Sequence, residues 1–327
     1  MSELALVVFA ASRESHAAPR EAQTRAFASF ASKFDENHYR ERLERHGLRW
    51  LARSDPAFPA LLASIHDPPP GLFLRGLSAP ELLARTSVAI VGARSCSDYG
   101  AHVARSLARD LARAGVVVVS GLARGVDGWA HRGALDGGGA TIAVLGCGIE
   151  RDYPRAHAAL AGQIAATGLV VSEYPPGVAP APWRFPARNR IVAGLCSATV
   201  VVEARERSGA LITADLALEE GRDVLAVPGE ITAALSRGTN ALLRLGAAAV
   251  TCADDVLDAI GLVPAVHVEP DPPSAPAAAA LAALDAGAGT ADEVARTAGL
   301  ETAAAAAALV ELELVGLVTS RAGVYRR

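Results

Sequence analysis

Between residues 87 and 251, short and almost wholly apolar runs alternate with longer helical stretches. The runs are SVAIVG (87–92), VVVVSG (116–121), TIAVLG (141–146), LVVSE (169–173), ATVVVEA (198–204) and VLAVPG (224–229), with a shorter AAVT (248–251) behind them. A strand with one face in water alternates apolar and polar residues. These runs do not alternate, so the pattern predicts strands covered on both faces. Each gap is long enough for a crossover helix, and the series predicts a doubly wound, mostly parallel, Rossmann-like α/β sheet. Ligands of such sheets gather at the C-terminal edge of the strands.

The flanks read differently. Residues 1–50 are mixed and polar in SKFDENHYRERLERHG, which predicts a small N-terminal helical segment. The sheet domain is set at 51–262, entered through Pro68-Pro69-Pro70, whose fixed φ values enforce an extended path. Residues 263–276, LVPAVHVEPDPPSA, read as a Pro-rich linker. The tail, 277–327, shows three short helical patterns and then LVTSRAGVYRR, two short strands around Ala322-Gly323. Thr290 and Glu293 stand at capping-box spacing before the second helix. That order predicts a C-terminal winged-helix domain.

Composition narrows the function. No apolar run reaches the roughly 18–20 residues of a membrane span, and the first residues lack the basic start of an export signal, so a cytoplasmic protein with no membrane partner is expected. Cys96, Cys147, Cys196 and Cys252 form no CxxC pair, and the eight histidines form no HxxxH or HExxH. Reduced buried thiols and no metal site are the expectation. The formal net charge is −4, whereas a protein coating duplex DNA would be basic, so any nucleic-acid site must be local. Its cations are almost all arginine, Lys33 being the single lysine, and arginine both forks onto phosphate and stacks on bases.

Three glycine-bearing turns stand where strands give way to helices. In GARSCSDYG (92–100), Gly92 lets backbone approach a ligand, Arg94 supplies charge, and Ser97 or Asp98 caps the next helix. In SGLARGVDGWAH (120–131), Gly121 and Gly125 permit positive φ, so amides of 121–125 can converge on an anion, with Arg124 inside the loop. Asp127 is out of place beside a phosphate. It reads as a brace that caps the helix or orients Arg124, with His131 one turn on as its hydrogen-bond partner; an acid–base pair is the sharper alternative. In EARERSGALITA (203–214), Ser208 and Gly209 precede a helix and offer another anion nest. No GxGxxG is present, and Ser120 stands where a ribose-holding acid would end the second strand, which disfavours a dinucleotide cofactor. WRFPARNRIVAGL (183–195) interleaves Trp183, Phe185, Arg184, Arg188, Asn189 and Arg190, a mixture suited to a single strand: guanidinium to phosphate, ring to base, amide to base edge. Core packing of Phe185 and surface ion pairs of the arginines are the plain alternative.

Taken in order, VAIVGARSCSDYG, SGLARGVDGWAH, TIAVLGCGIERDYP, SEYPPG, FPARNRIVAGL, VVVEARERSGALITADLALEEGRDVLAVPG and RGTNALLRLGA resemble the DNA-processing protein A family (DprA, also called Smf), from about Asp55 to Ile260 and more weakly through the tail. The resemblance implies a non-catalytic protein without cofactor. It would bind single-stranded DNA on its Rossmann-like domain, act as a homodimer and load the recombinase RecA during natural transformation, with single-strand-binding protein as a further partner. Motif correspondence would put DNA contacts on Gly92, Arg94, Gly121, Ala123, Arg124 and Gly125, with Phe185, Arg188, Asn189 and Arg190 completing a pocket. Ala93 replaces the serine common in the first loop. Residues 1–50 do not show the helix-hairpin-helix pattern of many members, so this segment is divergent or truncated relative to them.

Two other classes compete. Nucleotide-processing enzymes of the lysine-decarboxylase-like Rossmann group carry a PGGxGTxxE run supplying a catalytic Glu, and RSGALITAD here lacks its second glycine and that Glu. A winged-helix transcription regulator needs a cationic reading helix, whereas ETAAAAAALVELELVG has no Lys or Arg and carries Glu301, Glu311 and Glu313. No catalytic residue is assigned.

Overall fold

The computed structural model describes residues 2–12, 20–262, 274–314, 317–321 and 323–326. The expected linker therefore lies mostly outside the described residues, as do Ala322 and Arg327 of the tail. The chain divides into two compact units, 1–264 and 265–327.

In the first unit the strands are β1 (Leu48–Ala52), β2 (Gly71–Arg75), β3 (Ser87–Val91), β4 (Val117–Ser120), β5 (Thr141–Leu145), β6 (Leu169–Ser172), β7 (Ala198–Val201), β8 (Asp223–Ala226) and β9 (Ala248–Ala249). They form one sheet in the order β1-β2-β6-β5-β4-β3-β7-β8-β9. Strands β3 to β9 run parallel, and the order reverses between β3 and β7, the switch point of a doubly wound sheet. All seven apolar runs become strands. The antiparallel edge pair β1–β2 was not predicted; it hydrogen-bonds to β6, and Trp50 packs on its cross-strand partner Phe73 with ring centroids 4.6 Å apart.

The helices of this unit are α1 (Glu3–Ser12), α2 (Arg20–Ala31), α3 (Glu36–Arg45), α4 (Ala60–Ala63), α5 (Asp98–Arg113), α6 (Val126–Asp136), α7 (Ala158–Thr167), α8 (Arg184–Leu195), α9 (Gly209–Glu219), α10 (Arg237–Arg244) and α11 (Ala253–Ala259). The strand pleat sorts side chains onto two cores. Ala89, Val91, Val117 and Val119 pack toward α4, α8 and α9, whereas Val88, Ile90 and Val118 pack toward α5, α6 and α11. Helix α5 buries Ala104, Leu107, Ala108, Leu111 and Ala112, the i, i+3, i+4, i+7, i+8 stripe of a helix with one face inward. Helices α5 and α6 touch backbone to backbone, because a Cβ on Gly133 would collide with the Arg105 carbonyl.

The second unit holds α12 (Ala275–Asp285), α13 (Ala291–Ala298), α14 (Thr302–Leu314) and the hairpin β10 (Thr319–Arg321) with β11 (Val324–Arg326). The Thr290–Glu293 capping box forms, and Gly299 closes α13 in the left-handed conformation at φ +66°. Val294, Leu309, Leu312 and Val318 with small alanines fill its core.

A candidate nucleic-acid interface at the switch point

Helices α6, α8 and α9 begin at the C-terminal edge of the parallel strands, and their first turns, with the loop after β3, surround one cleft of about 170 Å³. The sequence-predicted residues Gly92, Arg94, Gly121, Ala123, Phe185, Arg188, Asn189, Ser208 and Gly209 line it, together with Asp127. Arg124, Gly125 and Arg190 do not.

The first wall follows β3. Gly92 lies so close to α6 that a Cβ would stand 2.6 Å from Val126 Cγ2. Ser97 caps α5, accepting from the Gly100 amide at 3.1 Å. The residue that holds this loop is Glu203, 4% exposed just beyond β7; the sequence marks it at the end of that strand without assigning it this role. Its carboxylate accepts from the Ser97 amide at 2.9 Å and from the Ser97 hydroxyl, and its carbonyl accepts from the Ala93 amide at 2.8 Å. A Cβ on Gly100 would strike that carboxylate. The EAR run at the end of a strand was the available signal. Arg94 is left exposed, its guanidinium 5.5 Å from the Phe185 ring centroid.

The second wall is the loop 121–125. Leu122, fully buried, adopts φ +57° and Gly125 φ +74°. A left-handed leucine costs about 1–2 kcal/mol. The turn aims the amides of Gly121 and Ala123 at one point, and the protein's own Asp127 Oδ2 occupies it, at 3.2 and 3.3 Å. Asp127 is buried, and burial pushes its carboxyl pKa up while the Arg188 guanidinium and the two amides pull it down. Gly125 is not in the cleft; it lets the loop pass beside Ala93 and Arg94, whose backbone a Cβ would overlap. Arg124 points away, exposed.

His131 is not the partner of Asp127. Its Nδ1 lies 2.8 Å from Thr141 Oγ1, whose single hydroxyl proton goes to the Val118 carbonyl at 2.6 Å. Nδ1 therefore carries the hydrogen and donates to the hydroxyl oxygen. Burial, with His157, Arg188 and Arg132 adding to it, pulls the His131 pKa down to about 3. The residue is a neutral core histidine.

The third wall is α8. Arg188 is 4% exposed, and its guanidinium donates to the Gly121 carbonyl at 2.8 Å and to the Val144 carbonyl. Desolvation lowers its pKa. Asn189 accepts from Arg188 Nε at 3.3 Å and donates to the Gly209 carbonyl at 3.2 Å, linking α8 to the start of α9. Ser208 caps α9 by accepting from the Ala210 amide, and the missing Gly209 side chain leaves open space. Arg190 faces elsewhere: it pairs with Glu173 at 2.7 Å and Asp67 at 2.9 Å, and these carboxylates hold its pKa up. Helix periodicity turns position 190 away from the face that carries Phe185 and Arg188.

A doubly wound sheet with helix N-termini, an exposed arginine and an aromatic ring converging at its switch point defines a Rossmann-like α/β protein with its cleft where such sheets hold ligands. The chain belongs to the family described as DNA recombination-mediator protein A, which residues 49–261 match; residues 264–324 match the DprA winged helix domain. The DNA processing protein DprA of Streptococcus pneumoniae (strain ATCC BAA-255 / R6) is 47% identical over 203 residues, covering 62% of this chain and 71% of that protein. A solved structure of DprA from Streptococcus pneumoniae superposes with TM-score 0.67 at 41% identity, over 74% of this chain and 83% of that one. DNA processing protein A of Helicobacter pylori, whose structure concerns a single-stranded DNA binding mode, gives TM-score 0.56 at 33% identity, over 61% and 91%.

Proposed function

We propose that this protein binds single-stranded DNA in the switch-point cleft and hands it to RecA, without catalysing a reaction. One observation carries the reading: Arg94, the Phe185 ring, Asn189 and the start of α9 converge on a volume of about 170 Å³. Cavities that enclose a small-molecule ligand are typically ~300–1,000 Å³, so this one suits a single unit of a strand passing across it better than an enclosed cofactor. The net charge of −4 and a confined cleft favour a single strand over a duplex-coating mode.

A catalytic role gains no support from Asp127 and His131, since the first is engaged by loop amides and the second is neutral and bonded to Thr141. A homodimer is part of the proposal, through apolar faces between residues 211 and 250, where Ile212, Leu218 and Leu245 are exposed. A cytoplasmic setting fits this role; among the described residues, no helix is long and apolar enough to cross a membrane. The test is strand exchange by RecA on oligonucleotides precoated with single-strand-binding protein. Added protein should shorten the lag before RecA filaments form, and an unchanged lag would remove the loading role.

A further inference from the structure

Phe185 is not alone at the mouth of the cleft. Tyr153, in the loop after β5, stacks on it with centroids 5.2 Å apart and planes 27° apart. Tyr153 stays 42% exposed. Beyond it lies a second concavity, lined by Tyr153, Arg151, Arg155, Ala158, Pro180 and Asp152, whose carboxylate is paired with Arg75 at 2.6 Å, and separate from the one that Arg94 lines. The ring pair therefore bridges two clefts. Phe185 faces the first, under the Arg94 guanidinium, and Tyr153 faces the second.

We propose that Tyr153 is a second base platform, stacking the nucleotide adjacent to the one held at Phe185, so that the strand runs from the Arg94 cleft across the ring pair into the Arg151 side. The assignment rests on the single-strand reading of the first cleft. It makes the pair a sequence-tolerant step, because every base has a π-face. It also gives the site a direction, from the β3 edge toward the β5 loop.

The test compares two probes of equal charge, a fluorescein-labelled oligothymidylate and a strand of the same length made wholly of abasic residues, by anisotropy at low ionic strength. Tyr153→Ala should bind the oligothymidylate about tenfold more weakly and the abasic strand as the unsubstituted protein does, while Tyr153→Phe keeps full affinity for both. Unchanged affinity of Tyr153→Ala for oligothymidylate would overturn the platform. So would an equal loss on both probes, which would mean that the substitution disturbs the loop and its contacts to the strand backbone, or a loss in Tyr153→Phe, which would assign the effect to the hydroxyl. If the unsubstituted protein fails to bind oligothymidylate at all, the single-strand reading itself falls, a separate result. Thermal melting of Tyr153→Ala checks that the exposed ring is removed without unfolding.

Discussion

Arg188 and Gly121 are tied together: the guanidinium donates to the Gly121 carbonyl at 2.8 Å, and the space a Gly121 side chain would need is filled by that same guanidinium. The arginine that looks most like a phosphate ligand in FPARNR is thus also a tie between α8 and the ends of β4 and β5. Its positive charge reaches the cleft from below, balanced by Asp127, while Arg94 reaches it from solvent.

The two arginines should therefore fail differently. Arg94→Ala is expected to weaken single-strand affinity by about 1.5–3 kcal/mol, the size of a charged hydrogen bond, and to leave the melting temperature in place. Arg188→Ala should lower both, since it strands the carbonyls of Gly121 and Val144 in a buried setting. Titration and thermal melting of both variants check this; equal stability of the two would contradict the tie.

Gly125→Ala is expected to disable the loop without touching the cleft wall directly. The residue sits at φ +74°, and a Cβ would overlap the backbone of Ala93 and Arg94. The variant should lose several kcal/mol of stability or fail to fold, whereas Gly138→Ala, at the same φ but with nothing within 4 Å, should lose only about 1 kcal/mol. Chemical denaturation separates them.

Glu203 provides a test of positioning. Glu203→Ala should cost about 1–3 kcal/mol through the unpaired Ser97 amide and weaken DNA binding by freeing the Arg94 loop. Glu203→Gln, which keeps an acceptor, should recover most of the affinity. Wild-type affinity in Glu203→Ala would show that the loop holds itself.

Much of this fold is legible in the chain because burial on both faces leaves unbroken β-branched runs such as VVVVS, and those runs carry their own strand signal. The edge pair is hidden because LRWLA and GLFLR mix polar with apolar residues and are joined by no crossover helix. At the site, local chemistry is readable: Ser97, Thr290 and Ser208 cap helices where their types and spacing say they should. Pairings that depend on the tertiary fold are not. Nothing near Arg190 in sequence announces Asp67, 123 residues away. Nor does the i, i+4 spacing of Asp127 and His131 reveal that Thr141 competes for the imidazole, or that the Asp fills the amide nest.

His131 also sets a pH dependence. Its folded pKa, about 3, lies below the ordinary 6.5, so the unfolded chain binds the extra proton and stability is full above pH 6.5 and falls toward pH 3. At pH 4.5 this single group should account for about 2–3 kcal/mol of lost stability. Denaturant titrations at pH 7 and pH 4.5 should show a smaller loss in His131→Phe than in the parent; identical losses would exclude His131 as the source.

The most direct test of the central claim is a competition titration in which a labelled single-stranded oligonucleotide, bound to the protein, is displaced by unlabelled single strand or by the matching duplex, repeated across salt concentrations. A cleft built around Arg94, Arg188 and Phe185 predicts displacement by single strand at far lower concentration than by duplex. It also predicts a log–log salt slope of about −0.7 for each phosphate contact. Duplex competing as well as single strand, or an affinity indifferent to salt, would contradict it.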